Sequence, residues 1–292
     1  ILNRDCLTLM VQPFLLDPDT VGVGGNVRIL NGCSVRDGNL TKVDLPKTWL
    51  GLFQVLEYSR AFLTSRVGWD HLNSLPLISG AFGLFKKEAV IAVGGYSHKS
   101  LGEDMDLVLR LHRHYRLNQL PYRVSFVADP MCWTEAPETT STLRKQRVRW
   151  QRGLFDCLWE NRKLLWHPRS GGVGWLAFPF LLFLEGVSPI VELAGLLFFV
   201  LCYFLDTINL AGALAFGLLA FGTGFLLSIA SILIEEATFQ TYPRKKHLWV
   251  MILGAFVENF GYRQLMSIWR LEGIVKWILR TKSSWGTMTR DA

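Results

Sequence analysis

Residues 175–205 read WLAFPFLLFLEGVSPIVELAGLLFFVLCYFL, and residues 210–234 form a second stretch that contains no charged residue. Roughly 20 apolar residues are enough to cross a bilayer, so each stretch predicts a membrane span. Residues 1–170 differ, because polar and apolar segments alternate there in the manner of a globular domain. We therefore divide the chain near residue 171 and place a membrane region over residues 172–268.

The composition and charge support a membrane-associated protein. Hydrophobic residues make up 50% of the 292 residues and the mean hydropathy is +0.25, yet the formal net charge is +7. Lys and Arg cluster in residues 144–169, 244–246 and 263–290, each beside a hydrophobic segment. This placement favours anionic lipid headgroups over nucleic acid as the partner, and the chain carries no nucleic-acid recognition motif.

The basic residues also predict an orientation. The connector 206–209 has no Lys or Arg, whereas residues 244–246 are all basic. The positive-inside rule therefore puts residues 170 and 245 in the cytosol and the connector outside. We expect a multi-pass protein of the inner (plasma) membrane whose globular domain is cytosolic.

A third candidate segment, residues 247–266, has two interpretations. It contains Glu258, Asn259 and Arg263, and a basic tail over residues 269–292 follows it. If the segment spanned the bilayer, this tail would lie outside, against the positive-inside rule. We favour an interfacial or re-entrant segment, with a third span as the alternative.

Residues 1–140 alternate helical and strand patterns, which indicates an α/β fold. The predicted elements are a helix after Asn3 that ends before Pro18, a strand over 20–30, a helix over 47–66, an apolar run over 75–85, a short helix after Lys86 that ends at Gly94 and Gly95, a helix over 103–115, and a strand over 122–128 that closes at Asp129 and Pro130. The glycines at 22, 24 and 25 lie inside a strand pattern, so we interpret them as bulge or close-packing residues rather than a nucleotide loop. Residues 141–171 are predicted to form amphipathic helices in the membrane interface, with an ordinary surface helix as the alternative.

Two acidic residues are candidates for a catalytic base. Glu103 and Asp104 follow Gly102 and open a predicted helix. A carboxylate at a helix N-terminus meets the positive end of the helix dipole and free backbone N–H groups, which hold it in place. The alternative is a helix start that is enriched in acids for stability alone.

A second candidate group lies on the helix predicted after residue 141. Gln146, Arg149 and Trp150 are spaced i, i+3 and i+4, so their side chains project from one helical face. A guanidinium suits phosphate oxygens, and an indole offers an apolar face to a sugar ring. Basic amphipathic helices are common, and an unspecific surface helix is again the alternative.

The order of several short motifs along the chain resembles that of a known protein family. Ser-Gly-Ala-Phe at 79–82, Gly-Glu-Asp at 102–104, Trp-Thr-Glu at 133–135 and Gln-x-x-Arg-Trp at 146–150 precede the apolar stretches. The chain in this respect resembles the family 2 glycosyltransferases of the cellulose synthase, hyaluronan synthase and poly-N-acetylglucosamine synthase group. The resemblance implies that residues 1–140 are the C-terminal part of a GT-A catalytic domain, with inverting transfer from a UDP-sugar held by a divalent metal (Mg or Mn).

The resemblance also implies roles for particular residues. Asp104 matches the family's catalytic base and Glu103 stands beside it in the same motif. Gln146, Arg149 and Trp150 match the motif that borders the acceptor and the donor diphosphate, and Ser79 and Gly80 fall where the family lines its acceptor pocket. Trp285 to Arg290 is similar in position to a gating loop over the donor.

One expected motif is missing. The family's Asp-x-Asp metal motif has no suitable match, since Asp17-Pro18-Asp19 follows a helix and its proline indicates a turn. The chain starts at Ile1, so we expect an N-terminally truncated fragment whose metal ligands lie upstream of residue 1. Such a fragment is expected to be inactive alone.

Three functions are considered. The first is addition of sugar from UDP-N-acetylglucosamine, or another UDP-hexose, to a growing β-linked polysaccharide. The alternatives are a non-processive transferase to a lipid-linked acceptor and a non-catalytic membrane ligand-binding relative. Accessory subunits cannot be named from the sequence. Glu185 and Glu258 lie in apolar stretches, where they would either line a polymer channel or be paired structural carboxylates.

Overall fold

The computed structural model describes residues 1–98, 100–207 and 209–281. Its globular part contains six α-helices and five strands within these ranges. They are α1 (Cys6–Leu16), β1 (Thr20–Ile29), β2 (Ser34–Arg36), β3 (Asn39–Lys42), α2 (Trp49–Tyr58), α3 (Arg66–His71), β4 (Gly83–Phe85), α4 (Lys87–Ala92), α5 (Glu103–Leu117), β5 (Arg123–Thr134) and α6 (Thr140–Glu160). A π-helical segment, Ser59–Ser65, joins α2 to α3.

The central sheet has the strand order β4-β1-β5. β1 runs parallel to β5 and antiparallel to β4, and all ten of its residues are buried. Its glycines admit close neighbours: a Cβ on Gly25 would lie 2.5 Å from Cδ1 of Phe82, and one on Gly22 would lie 2.9 Å from Cδ1 of Phe85. The close-packing interpretation of these glycines is confirmed, and a register shift at Gly25 adds the expected bulge.

One strand prediction needs correction. β5 does not close at Asp129 and Pro130 but continues to Thr134. A proline is tolerated there because β5 is an edge strand of the sheet and its register with β1 is irregular around Pro130. The apolar run over 75–85 is mostly a loop, and only Gly83–Phe85 forms a strand.

The helical predictions agree more closely with the structure. α1 lies inside the predicted range, and α5 begins at Glu103 and extends two residues beyond the predicted end. α4 ends before Gly94 and Gly95, whose φ angles are +87° and +73°. α6 begins after the cap Thr139, whose side chain accepts from the N–H of Thr142. These boundaries follow from caps and glycine stops that are local in sequence.

Two long apolar helices follow the globular part. The first apolar helix, Val173–Phe204, has 32 residues, and the second apolar helix, Leu210–Thr238, has 29; both are long and apolar enough to cross a bilayer. Most of their side chains are not covered by the rest of the chain. Both predicted stretches thus form helices of the expected length.

The segment 247–266 is divided between two helices. The Lys245 helix (Lys245–Val257) packs on α2 and on the second apolar helix, and the Tyr262 helix (Tyr262–Ile278) packs along α6. Between them the chain turns at Gly261, where φ is +98°. Neither helix by itself contains the whole predicted segment, and its position relative to a bilayer stays a prediction.

Buried ion pairs join the globular part to these later helices, and we call this contact the ion-pair seam. Arg28 of β1 lies 2.6 Å from Glu235 of the second apolar helix, and both side chains are about 5% exposed or less. Arg60 lies 2.5 Å from Glu258, which also accepts from the hydroxyl of Ser228 at 2.8 Å.

Glu185 is paired as well, with Arg270 at 3.2 Å. The structure therefore pairs both carboxylates that the sequence singled out within apolar stretches, Glu185 and Glu258. It supports the structural interpretation of these carboxylates, whereas a role in lining a channel stays untested.

Candidate active site

The carboxylate of Asp104 is held in a fixed direction at the amino end of α5. Its Oδ2 accepts a hydrogen bond from the backbone N–H of Gly80 at 3.0 Å, and its Oδ1 accepts one from the N–H of Met105 at 2.8 Å. The loop that contains Ser79 and Gly80 thus meets Asp104. Ser79 itself is engaged within its own turn, where its hydroxyl accepts from the N–H of Ala81.

Glu103 links α5 to the motif on α6. Burial raises the pKa of the Glu103 carboxyl above its usual value, a backbone hydrogen bond within the same residue lowers it, and the negative charge of Asp104 raises it further. The positive charge of Arg149 acts in the opposite direction. α5 and α6, which carry Glu103 and Arg149, pack against each other, so the two predicted groups lie on adjoining helices.

Arg66 is a further charged group near Asp104. Its guanidinium carbon lies 3.6 Å from the centre of the Phe62 ring, and the side chain is 7% exposed. Burial lowers the pKa of Arg66 to about 10, an effect that the negative charge of Asp104 opposes. Sequence reasoning missed Arg66, because a single arginine inside a helical pattern belongs to none of the recognised motifs.

Two glycines set the distance between α5 and α6, and we call this contact the glycine seam. A Cβ on Gly153 would lie 2.8 Å from the backbone nitrogen of Gly102 and 3.0 Å from the carbonyl carbon of Leu101. Backbone atoms cannot move aside as a flexible side chain can, so Gly153 must lack a side chain. The thiol of Cys157 donates to the carbonyl of Gly102 at 3.1 Å, and burial raises the pKa of that thiol to about 12, which keeps it protonated.

Asp106 has a structural role in the same helix. It lies 2.8 Å from Nε of Arg110 and accepts from the side-chain amide of Asn161 at 3.1 Å, and only 3% of it is exposed. Its partners tie α5 to the end of α6. Of the three acidic residues at the start of α5, Glu103 and Asp104 are thus the two that remain near the surface.

The side chains of Gln146 and Trp150 differ in their environment. Trp150 is 40% exposed, and Arg147 lies over its ring at 4.6 Å from the centroid while it also contacts Glu57 at 2.5 Å. Oε1 of Gln146 is buried and has no hydrogen-bond partner within the described residues. The exposed indole of Trp150 is a surface that suits a sugar ring.

Neither a metal site nor the gating loop can be placed in this part of the chain. Within residues 1–98, 100–207 and 209–281, no three His, Cys, Asp or Glu side chains converge to hold a metal ion. The residues present do not fit a metal centre, so no chemical step is derived through one. The predicted gating loop from Trp285 to Arg290 lies outside the described residues.

Comparison with known proteins identifies a matching family and several similar enzymes. The model of "Glycosyl transferase family group 2" matches residues 1–257. The poly-beta-1,6-N-acetyl-D-glucosamine synthase of Staphylococcus aureus (strain COL) is 32% identical over 158 residues, which are 54% of this chain and 34% of the relative. The enzyme of the same name from Staphylococcus epidermidis is 29% identical over the same lengths.

Among solved structures, a mannosyltransferase from Pyrobaculum calidifontis in complex with GDP-Man and Mn2+ is similar with a TM-score of 0.45 and 15% identity, over 96% of this chain and 59% of that one. The matched region spans about a third of the length of the curated relatives. The family model, by contrast, covers most of the chain. The chain therefore belongs to glycosyl transferase family group 2.

Proposed function

We propose that the chain carries the catalytic base and the acceptor side of an inverting hexosyltransferase. In this proposal residues 1–140 form the C-terminal part of a GT-A domain, and the two apolar helices anchor it in the inner membrane with the domain in the cytosol. The supporting observation is the position of Asp104. Its carboxylate is fixed by the N–H of Gly80, while α6, which carries Arg149 of the second motif, packs against α5.

The proposed chemistry assigns one task to each group. Asp104 takes the proton of the acceptor hydroxyl while that oxygen attacks the anomeric carbon of the donor from the face opposite the leaving group. The bond between the anomeric carbon and the diphosphate oxygen breaks, and the diphosphate leaves with the electron pair. Arg149 stabilises the charge on the diphosphate, and Trp150 and Gln146 position the acceptor sugar.

The sugar and the product follow from similarity rather than from geometry. The relatives named as poly-beta-1,6-N-acetyl-D-glucosamine synthases support UDP-N-acetylglucosamine as the first donor to test and a β-linked polysaccharide as the product. Another UDP-hexose is the next donor to test. The divalent metal that the family resemblance implies would need ligands other than the residues described here.

Asp104→Asn tests the base. The variant belongs in the longest native protein that contains this chain, reconstituted in lipid, with transfer measured from radiolabelled UDP-sugar and binding of UDP-sugar measured separately. Transfer should fall at least about 100-fold, the usual contribution of a general base, with donor binding retained. Asp37→Asn, the same change in an exposed hairpin turn, is the matched control. Unchanged transfer in Asp104→Asn would remove Asp104 from the mechanism.

Product length separates the alternatives. Long polymer from the wild-type protein supports the polysaccharide function, whereas single-sugar addition to a lipid-linked acceptor supports the non-processive one. Retained UDP-sugar binding without any transfer by the wild-type protein would instead favour a non-catalytic ligand-binding relative.

A further inference from the structure

A basic pocket lies at the opposite end of α5 from the proposed base. It has a volume of about 430 Å³ and is lined by Tyr115, Arg116, Gln119, Leu120, Pro121 and Arg169. At 1.5 Å per residue, the 12 residues from Asp104 to Arg116 separate the two ends by about 18 Å. The pocket is therefore not part of the site for donor or acceptor.

The pocket's two arginines come from different parts of the chain. Arg116 is held in place by Tyr122, because its Nε donates to the Tyr122 hydroxyl at 2.9 Å and its guanidinium stacks on the same ring. Arg169 is exposed in the loop before the first apolar helix, and its guanidinium reaches the carbonyl of Leu117 at 3.5 Å. One arginine is held in place and the other is free to adjust, an arrangement that suits phosphate oxygens.

The charged side chains that line the pocket are of one sign. Residues 107–128 and 161–184, which supply all of its lining, contain no Asp or Glu. The two charged residues that line the pocket are Arg116 and Arg169, whereas Arg110 and Arg123 of the first range are paired with Asp106 and Asp70. A site with this excess favours an anion and disfavours a cationic or neutral ligand.

The pocket also lies where a lipid headgroup would be. The first apolar helix has 32 residues and is about 48 Å long at 1.5 Å per residue, close to the full thickness of a bilayer with its headgroups. Its first turn then lies at headgroup depth, and a Cβ on Gly171, just before it, would lie 3.1 Å from Nη1 of Arg116, so the pocket adjoins this turn. Trp166 and Trp175 flank the loop and are about half exposed, as is typical of aromatic residues at a membrane interface.

From this combination we propose that the Arg116/Arg169 pocket binds the phosphate of an anionic glycerophospholipid in the cytoplasmic leaflet. The indole N–H of Trp175 donates to the carbonyl of His167 at 3.2 Å, so the loop that carries Arg169 is tied to the start of the first apolar helix. A bound headgroup would join this loop to the end of α5. The proposal depends on the first apolar helix crossing a bilayer, as proposed above, but not on the transfer reaction.

The test is a lipid titration that does not use turnover. The full native protein, in zwitterionic detergent micelles, is titrated with short-chain phosphatidylglycerol, and the apparent dissociation constant is taken from the rise in Tm. Parallel titrations use short-chain phosphatidylcholine and inorganic phosphate. Phosphatidylglycerol should raise the Tm, whereas the other two should not.

Variants locate the site. Arg169→Gln should weaken binding of phosphatidylglycerol roughly fivefold, as expected for one basic residue at an anionic surface. Arg162→Gln removes an equally exposed charge that lies outside the pocket, over the Trp159 ring, and should bind as the wild type does. Arg169→Lys keeps the charge and should retain most of the affinity.

Three results would overturn the proposal. The first is equal affinity for phosphatidylglycerol in Arg169→Gln and the wild type. The second is stabilisation by phosphatidylcholine or inorganic phosphate to the same extent, which would indicate a non-specific detergent effect or a free anion. The third is an equal loss in Arg169→Lys and Arg169→Gln, which would indicate a packing role for Arg169. Loss of sugar transfer in any variant bears on the proposed function alone.

Discussion

Two seams of different chemistry hold the molecule together: the glycine seam lies within the globular part, and the ion-pair seam joins the globular part to the later helices. At the glycine seam, the backbone of α6 lies so close to Gly102 that a Cβ on Gly153 would come within 2.8 Å of the Gly102 nitrogen. At the ion-pair seam, long charged side chains such as Arg28 and Glu235 reach across the contact and are buried there. The first contact fixes the distance between the two predicted catalytic motifs, and the second fixes which faces of the globular part and the apolar helices meet.

The glycine seam determines how precisely α5 and α6 are positioned, whereas the ion-pair seam determines which faces of the globular part and the later helices pack together. A backbone contact leaves no rotamers to adjust, so the position of Arg149 relative to Glu103 varies little. A buried ion pair adds little net stability over an apolar pair, but it penalises every arrangement that leaves one charge unpaired. The two seams therefore predict different consequences when each is damaged.

Breaking the ion-pair seam should give the largest loss of stability. Glu235→Gln leaves the charge of Arg28 buried without its partner, which typically costs about 3–5 kcal/mol. The Tm of the detergent-solubilised protein should fall by roughly 10 °C. The double variant Arg28→Met with Glu235→Leu should recover much of this loss, because no charge is left unpaired. A double variant as unstable as the single one would contradict the assignment of a coupled pair.

Filling the glycine seam should affect transfer more than stability. Gly153→Ala places a Cβ against the backbone of Gly102 and moves α6 away from α5. Misplacement of catalytic groups by about 1 Å can cost about 100-fold, so kcat/KM for sugar transfer should fall by about that factor.

Gly68→Ala is the matched control for this change. Gly68 also lies in a helix, α3, but a Cβ there would have no neighbour within 4 Å. The rate of sugar transfer by Gly68→Ala should therefore stay near that of the wild type. Wild-type transfer in Gly153→Ala would show that the glycine seam does not position the site.

The anchoring of α5 to the core should be visible in the pH dependence of stability. His112 is fully buried between the hydroxyl of Tyr122 and the carbonyl of Leu75, and burial lowers its pKa to about 4. Below pH 6.5 the unfolded state binds a proton that the folded state excludes, so stability falls as the pH falls. The contribution between pH 7.5 and pH 5 is about 2 kcal/mol.

The measurement is the Tm of the solubilised protein across this pH range. His112→Gln should have a lower Tm at pH 7.5 but a weaker dependence on pH than the wild type. His114→Gln, on the same helix and partly exposed, should keep the wild-type dependence. Parallel pH profiles for His112→Gln and the wild type would rule out His112 as the source.

The smallest effect is expected for an ion pair outside both seams. Arg144 and Glu272 lie 2.8 Å apart on the surface of α6 and the Tyr262 helix, and Arg144 is 55% exposed. Exposed pairs contribute little, because water and salt screen them. Arg144→Gln should leave the Tm unchanged within error, and a drop comparable to that of Glu235→Gln would show that burial is not what distinguishes the ion-pair seam.

The sequence predicted those helices and strands whose ends are marked by caps or glycines or whose residues show a clear hydrophobic periodicity. The α5 start after Gly102, the α4 stop at Gly94 and the buried strand β1 all follow from caps, glycines and periodicity. The strand β5 was predicted too short, because a proline stops a strand only where its N–H would be needed. The apolar run over residues 75–85 gave no indication of its conformation, and in the structure its backbone turns so that the N–H of Gly80 donates to Asp104.

Residues of the candidate site could be predicted from the sequence only where they belong to a recognisable motif. Asp104, Gly80 and Arg149 could be named from motifs, and the structure brings their segments together. Arg66 could not be found, since its relation to Asp104 is purely tertiary. Gly153 was missed for another reason: its contribution is the absence of a side chain, and hydrophobic periodicity gives no signal for that.

The glycine seam has a consequence for how such sequences are compared. Position 153 lies three residues after Trp150, so the informative pattern extends from Gln-x-x-Arg-Trp to Gln-x-x-Arg-Trp-x-x-Gly. A Cβ at position 153 would meet the backbone of position 102, so substitutions at the two should be correlated across an alignment even though they lie 51 positions apart. A relative that keeps both acidic residues and the tryptophan but carries a large residue at either glycine should show a compensating change in the spacing of the two helices.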